Sequence, residues 1–84
     1  MDEFLSSMDF MRLGQAVNHE NWQSAMMIIK RMSSAAKEIG AEDFERMLSK
    51  IRVCVQSKSR SQALNALAML TALRVRKLKE IKET

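Results

Sequence analysis

Asn21 to Phe44 reads NWQSAMMIIKRMSSAAKEIGAEDF, and this stretch decides the fold. Trp22, Ala25, Met26, Ile29, Met32, Ala36 and Ile39 recur at three- and four-residue steps, which aligns them on one helix face against a core. Lys30, Arg31, Ser33, Ser34 and Lys37 occupy the opposite side. Gly40 supplies the left-handed residue that ends many helices, and Glu42 and Asp43 suit the positive end of a following one. So short a turn sends the next helix back antiparallel.

The same periodicity continues on both sides. A first helix is expected over residues 4–17, with Phe4, Leu5, Met8 and Met11 on one stripe and Phe10, Leu13 and Val17 on an adjoining one. Ser6 and Asp9 have capping-box spacing, which would start the helix proper near Ser7 and leave Met1 to Leu5 as a packing leader. Gly14 costs about 1 kcal/mol relative to alanine in a helix interior and reads either as a close crossing or as tolerated strain. Within the polar break NHEN at 18–21, Asn18 is the expected cap of a second helix over 20–39.

A third helix over 42–57 carries Phe44, Met47, Leu48, Ile51, Cys54 and Val55 on one face, and a fourth over 60–82 begins after Ser59, which has capping-box spacing to Gln62. Ala63, Leu64, Ala66, Leu67, Leu70, Leu73, Leu78 and Ile81 give the fourth helix a broad apolar face, while Arg74, Arg76, Lys77, Lys79 and Lys82 make its last turns solvated. Short connections predict an all-α, antiparallel up-down-up-down four-helix bundle, a single domain over 1–84. That topology brings Asp2, Glu3 and Asp9 toward Lys77, Lys79 and Lys82.

Composition agrees with one small helical domain: 84 residues, 46% hydrophobic and 29% charged, with two glycines and no proline to interrupt long segments. The net charge of +4 admits an acidic protein surface, nucleic acid or an anionic membrane as partner. Nucleic acid is not expected, because the basic segment RVRKLKE at 74–80 has no tyrosine beside it and the single tryptophan belongs to a core face, leaving no stacking platform. Nor is a membrane, since no apolar run approaches spanning length and MDEFLSSMD lacks the order of a signal peptide. The lone Cys54 lies on an apolar face and reads as a small core filler in a reducing, cytoplasmic setting. No cofactor or metal is expected, and without a glycine-rich phosphate loop or a nucleophile–base constellation the chain is not expected to be an enzyme.

Trp22 to Phe44 resembles the histidine-containing phosphotransfer (HPt) domains of His-Asp phosphorelays. Their pattern is a helix bearing H-x-L-K-G-S, an (I/L)-G-A turn and a hydrophobic residue opening the next helix. Ile39-Gly40-Ala41 matches the turn and Phe44 the residue beyond it. Counted from either side, the phosphoacceptor position falls on Lys30, the leucine on Met32, the lysine on Ser33 and the glycine on Ser34. The resemblance implies a four-helix bundle that docks the receiver domain of a response regulator or a hybrid kinase. It also implies a pseudo-phosphotransfer module, because a solvated lysine ammonium has no lone pair with which to accept a phosphoryl group. The only histidine, His19, lies in the break before the helix and reads as an ordinary loop residue.

On this reading the receiver-docking face comprises Met27, Lys30, Arg31, Ser33, Ser34 and Lys37. Lys30, Ser34 and Lys37 align along one ridge at four- and three-residue steps, where Lys30 would meet an acidic pocket, Ser34 would allow close approach and Lys37 would add long-range attraction. The bland alternative is an ordinary solvated face. A different class of function is helical association, either a homodimer or a regulatory tail of a larger signalling protein, which would bury Met27 and Ile28 between chains.

Overall fold

The apolar stripe of the central stretch forms α3 (Trp22–Glu38), and it packs in a ring with α2 (Asp9–Asn18), α4 (Glu42–Gln56) and α5 (Arg60–Glu83). The computed structural model describes residues 2–83, with side chains described over 3–81. Ahead of α2 stands α1 (Asp2–Leu5), one helical turn that packs against α5. Each long helix touches its two neighbours, and α5 closes back on α2, so the fold is an all-α four-helix bundle of 39 × 21 × 19 Å with no strand among the described residues.

The expected single helix over 4–17 is in fact two, with residues 6–8 breaking it. Ser6 does not cap α2: Met8 is the N-cap residue and brings no side-chain cap bond, while the Ser7 hydroxyl accepts the Asp9 N–H at 3.1 Å. The break turns Phe4 and Leu5 inward, where both are buried. Phe4, Phe10 and Phe44, all the phenylalanines of the chain, then meet edge to face with centroids 5.1 to 6.2 Å apart. Such pairs add about 0.5–1.5 kcal/mol beyond the area they bury.

Two arginines of α5 hold this arrangement from outside the core. Arg74 donates to the Leu5 carbonyl at 2.6 Å and lies 4.9 Å over the Phe10 ring, so it terminates α1 and covers the aromatic cluster together. Arg60 donates to the Asn18 carbonyl at 3.1 Å and to its Oδ1 at 2.6 Å, placing a cation at the C-terminal, negative end of α2. Asn18 is therefore an acceptor for α5. The helix cap falls to Asn21, whose Oδ1 accepts the Ser24 N–H at 3.3 Å.

The charge pairing differs from expectation as well. Asp9 pairs with Arg31 and Arg12, while Lys77 pairs with Asp43 at 3.3 Å and Glu80 at 3.7 Å. The side chains of Asp2 and Lys82 lie outside the described residues. Burial pushes the Asp43 carboxyl up, but the hydrogen bond from Lys77, the backbone N–H groups of Phe44 and Asp43 and the Lys77 charge outweigh it and hold the group below its ordinary value. With the folded value below the unfolded one, the pair's contribution is complete above about pH 4 and is lost as pH falls through the acid range.

All three turns between the long helices share one geometry. Glu20, Gly40 and Lys58 have φ of 57°, 71° and 54°. In each turn this left-handed residue donates to the carbonyl three before it, and the next N–H donates to the carbonyl five before: Asn21 to Ala16, Ala41 to Ala36, Ser59 to Cys54. These are Schellman caps. Ile39, expected on the core stripe, is the C-cap residue of α3 and stays exposed because the turn carries it off the helical face.

Gly14 marks no close crossing, since a Cβ there would have no heavy atom within 4 Å. Gly14→Ala should therefore stabilise the domain by about 1 kcal/mol in urea unfolding, from helix propensity alone. Gly40→Ala, equally free of clashes, should destabilise it by about 1–2 kcal/mol because only φ is penalised. Glu20→Gly and Lys58→Gly should be neutral to stabilising; marked destabilisation by either would contradict the shared turn geometry.

Candidate functional site

Burial of Ala25, Ile28, Ile29, Met32 and Ala36 fixes the rotation of α3 about its axis. Lys30, Ser34 and Lys37 consequently lie exposed along one ridge, with Ser33 half-buried beside them. Ile28, weighed above as an exposed neighbour of Met27, is 9% exposed and belongs to the core, whereas Met27 is 66% exposed. Met27 is the most exposed apolar side chain of this face, with half-buried Met26 beside it.

The ridge forms one wall of an open groove of about 510 Å³ between α3 and α4. Met26, Met27, Ile29, Lys30, Ser33, Ser34 and Lys37 line it from α3, and Glu45, Arg52 and Gln56 line it from α4. Three cations, Lys30, Lys37 and Arg52, face one carboxylate, Glu45, so the groove carries a local excess of positive charge. None of the four makes an ion pair among the described residues. A positive surface of this kind steers an acidic partner to it and raises the rate of encounter.

The wall from α4 was not singled out in the sequence. Its signal was present: Glu45, Arg52 and Gln56 follow at seven- and four-residue steps, which defines a polar edge beside the buried Phe44, Leu48, Ile51 and Val55.

Arg31 does not share the groove. Its Nε donates to Asp9 Oδ2 at 2.9 Å and a terminal nitrogen donates to Oδ1 at 2.7 Å, a two-point contact that draws the guanidinium toward α2. The hydrogen bond to Asp9, and then the Asp9 charge, raise the Arg31 pKa further above its already high value. Arg31 is a tie between α2 and α3, while the other five residues of the expected face stay together.

The chemistry available at the ridge is that of hydrogen-bond donors and cations. Lys30 and Lys37 offer ammonium groups, and Ser33 and Ser34 small hydroxyls that let another backbone approach. His19 is exposed in the turn that ends α2, on a different element from the ridge. Among the described residues no three His, Cys, Asp or Glu side chains come together as a metal site, and no helix is long and apolar enough to cross a membrane. Cys54 is half-buried and packs against the core.

If Arg31 serves to join helices, a double-mutant cycle on Asp9→Asn and Arg31→Gln should give a favourable coupling in urea unfolding at low salt that weakens with added salt. A coupling of zero at low salt would show that the two-point contact does not hold α2 to α3.

Comparison of the chain with family models, with curated proteins and with solved structures finds no match in any of the three.

Proposed function

We propose that this chain is an HPt-like signalling domain that docks acidic receiver domains in the cytoplasm and does not itself transfer phosphate. The observation that carries the reading is the exposed ridge of Lys30, Ser34 and Lys37 beside a groove with excess positive charge. A receiver presents carboxylates around its phosphorylatable aspartate, and a ridge of two lysines separated by a small serine has the complementary charge and the clearance for it. The resemblance over Trp22 to Phe44 supports the reading, and the four-helix bundle with its Gly40 turn is compatible with it.

The absence of transfer follows from chemistry. A phosphorelay acceptor needs a nucleophilic lone pair near neutral pH, and an ammonium in water has none. Lys30 is solvent-exposed at the position where the resemblance expects histidine. Its role is electrostatic: it enters the acidic pocket as a fixed cation and occupies the receiver without turning it over. A response regulator or hybrid kinase is the partner class. Association of two copies through Met27 and Ile28 has less support, because Ile28 is core and Met27, with only half-buried Met26 beside it, offers a small apolar area among cations.

The test is a binding titration against a panel of purified receiver domains from the source genome. At least one receiver should bind the wild type, and Lys30→Glu should weaken that complex by tenfold or more, about 1.4 kcal/mol, without altering the helical spectrum. Binding should also weaken as salt is raised. No receiver binding at low salt, or binding indifferent to Lys30→Glu, contradicts the proposal.

A further inference from the structure

A second groove lies between α4 and α5, lined by different residues from the Lys30 ridge. It encloses about 610 Å³ and runs from Asp43 to Lys50 on α4 and from Met69 to Arg76 on α5. Met47, Met69, Ala72 and Leu73 give it an apolar floor, and Arg46, Lys50 and Arg76 stand on its rims. Met69 is 56% exposed, a large apolar side chain left in water by its own fold.

The rim cations are unspent. Arg46, Lys50 and Arg76 make no ion pair among the described residues. The one acid of the groove, Asp43, is taken by Lys77 at 3.3 Å, so the groove presents three free cations and no free carboxylate. Seven residue steps on each helix correspond to roughly 10 Å, or two helical turns. An apolar trough of that length between cationic rims fits a ligand with two or three apolar side chains on one face and carboxylates on both flanks.

We propose that the α4–α5 groove binds an acidic amphipathic helical segment of a partner protein, with apolar residues at i, i+3 or i+4 and i+7 seated on Met47, Met69 and Leu73. Arg46, Lys50 and Arg76 pair with the flanking carboxylates, and the flexible methionines adapt to the inserted side chains. Three physical features choose this occupant. A second copy related by a twofold axis would bring the same three cations face to face. A flat anionic bilayer would meet the rim cations and Met69 but leave Leu73, 7% exposed between the two helices, untouched. Nucleic acid would find rim cations but no aromatic side chain in the lining on which to stack its bases.

The probe is a fluorescein-labelled 14-residue peptide with leucines at i, i+4 and i+7, glutamates on the two flanks of that stripe and alanines elsewhere to favour the helix, followed by anisotropy and by amide chemical-shift mapping on the full chain. Binding should shift amides of α4 and α5 around Met47 and Met69, and Arg46→Glu with Arg76→Glu should weaken it at least tenfold. Met69→Glu should weaken it comparably, while Lys30→Glu should leave it within twofold. A peptide with lysines in place of the glutamates should not bind. The proposal is overturned by equal binding of the lysine peptide, by shifts centred on α3, or by equal sensitivity to Lys30→Glu. It is also overturned if phosphatidylserine vesicles or a single-stranded oligonucleotide bind in the same groove more tightly than the acidic peptide.

Discussion

A 24-residue helix cannot be covered along its length by partners of ten to seventeen residues, and the rest of the bundle is arranged around that mismatch. At 1.5 Å per residue α5 spans about 36 Å, against roughly 15 Å for α2. The exposed remainder would leave Leu78 and Ile81 in water. Instead the first residues fold back as α1, and Phe4 and Leu5 close the end of the core while Leu78 and Ile81 pack against it. Arg74 makes the arrangement directional, since a guanidinium that bonds the last carbonyl of α1 and covers Phe10 serves two short helices at once. A charged hydrogen bond of this kind contributes about 1.5–3 kcal/mol, a large share of the stability a domain of this size commands.

Where the chain was legible, the reason is periodicity. The α3 stripe, the Gly40 stop and the antiparallel return all follow from 3.6-residue spacing and from one residue that tolerates positive φ. The other two turns hid the same motif behind Glu20 and Lys58, residues with no turn preference to read. The continuous apolar spacing of Phe4, Leu5, Met8 and Met11 hides the break at residues 6–8, which only the capping spacing near Ser7 hints at. Asn18 and Asn21 flank the same break with equal capping chemistry, and Arg60, 42 residues away, claims the first and leaves the cap to the second.

The functional face was legible along α3 and illegible across it. Spacing alone put Lys30, Ser34 and Lys37 on one ridge, but it could not say that Arg31 would turn to Asp9 or that Ile28 would be buried, since both depend on where α2 lies. Nor could it bring Arg52 of α4 to within the same groove as Lys30. Side chains that meet across helices are fixed by packing, and no local pattern encodes them. On the proposed reading the sequence also carries a chemical signal, Lys30 standing where a phosphorelay helix would have its nucleophile. On the proposed reading, recognition and transfer are separable, because docking uses charge and clearance whereas transfer requires a lone pair.

The most direct measurement is incubation of the full chain with receiver domains phosphorylated on aspartate with labelled phosphate. The account predicts no label on the chain at any time, with the receiver's phosphate lost no faster than in its absence. Acid-labile label appearing on the wild type and disappearing with His19→Ala would contradict it, since the chain would then transfer phosphate through a histidine outside the ridge.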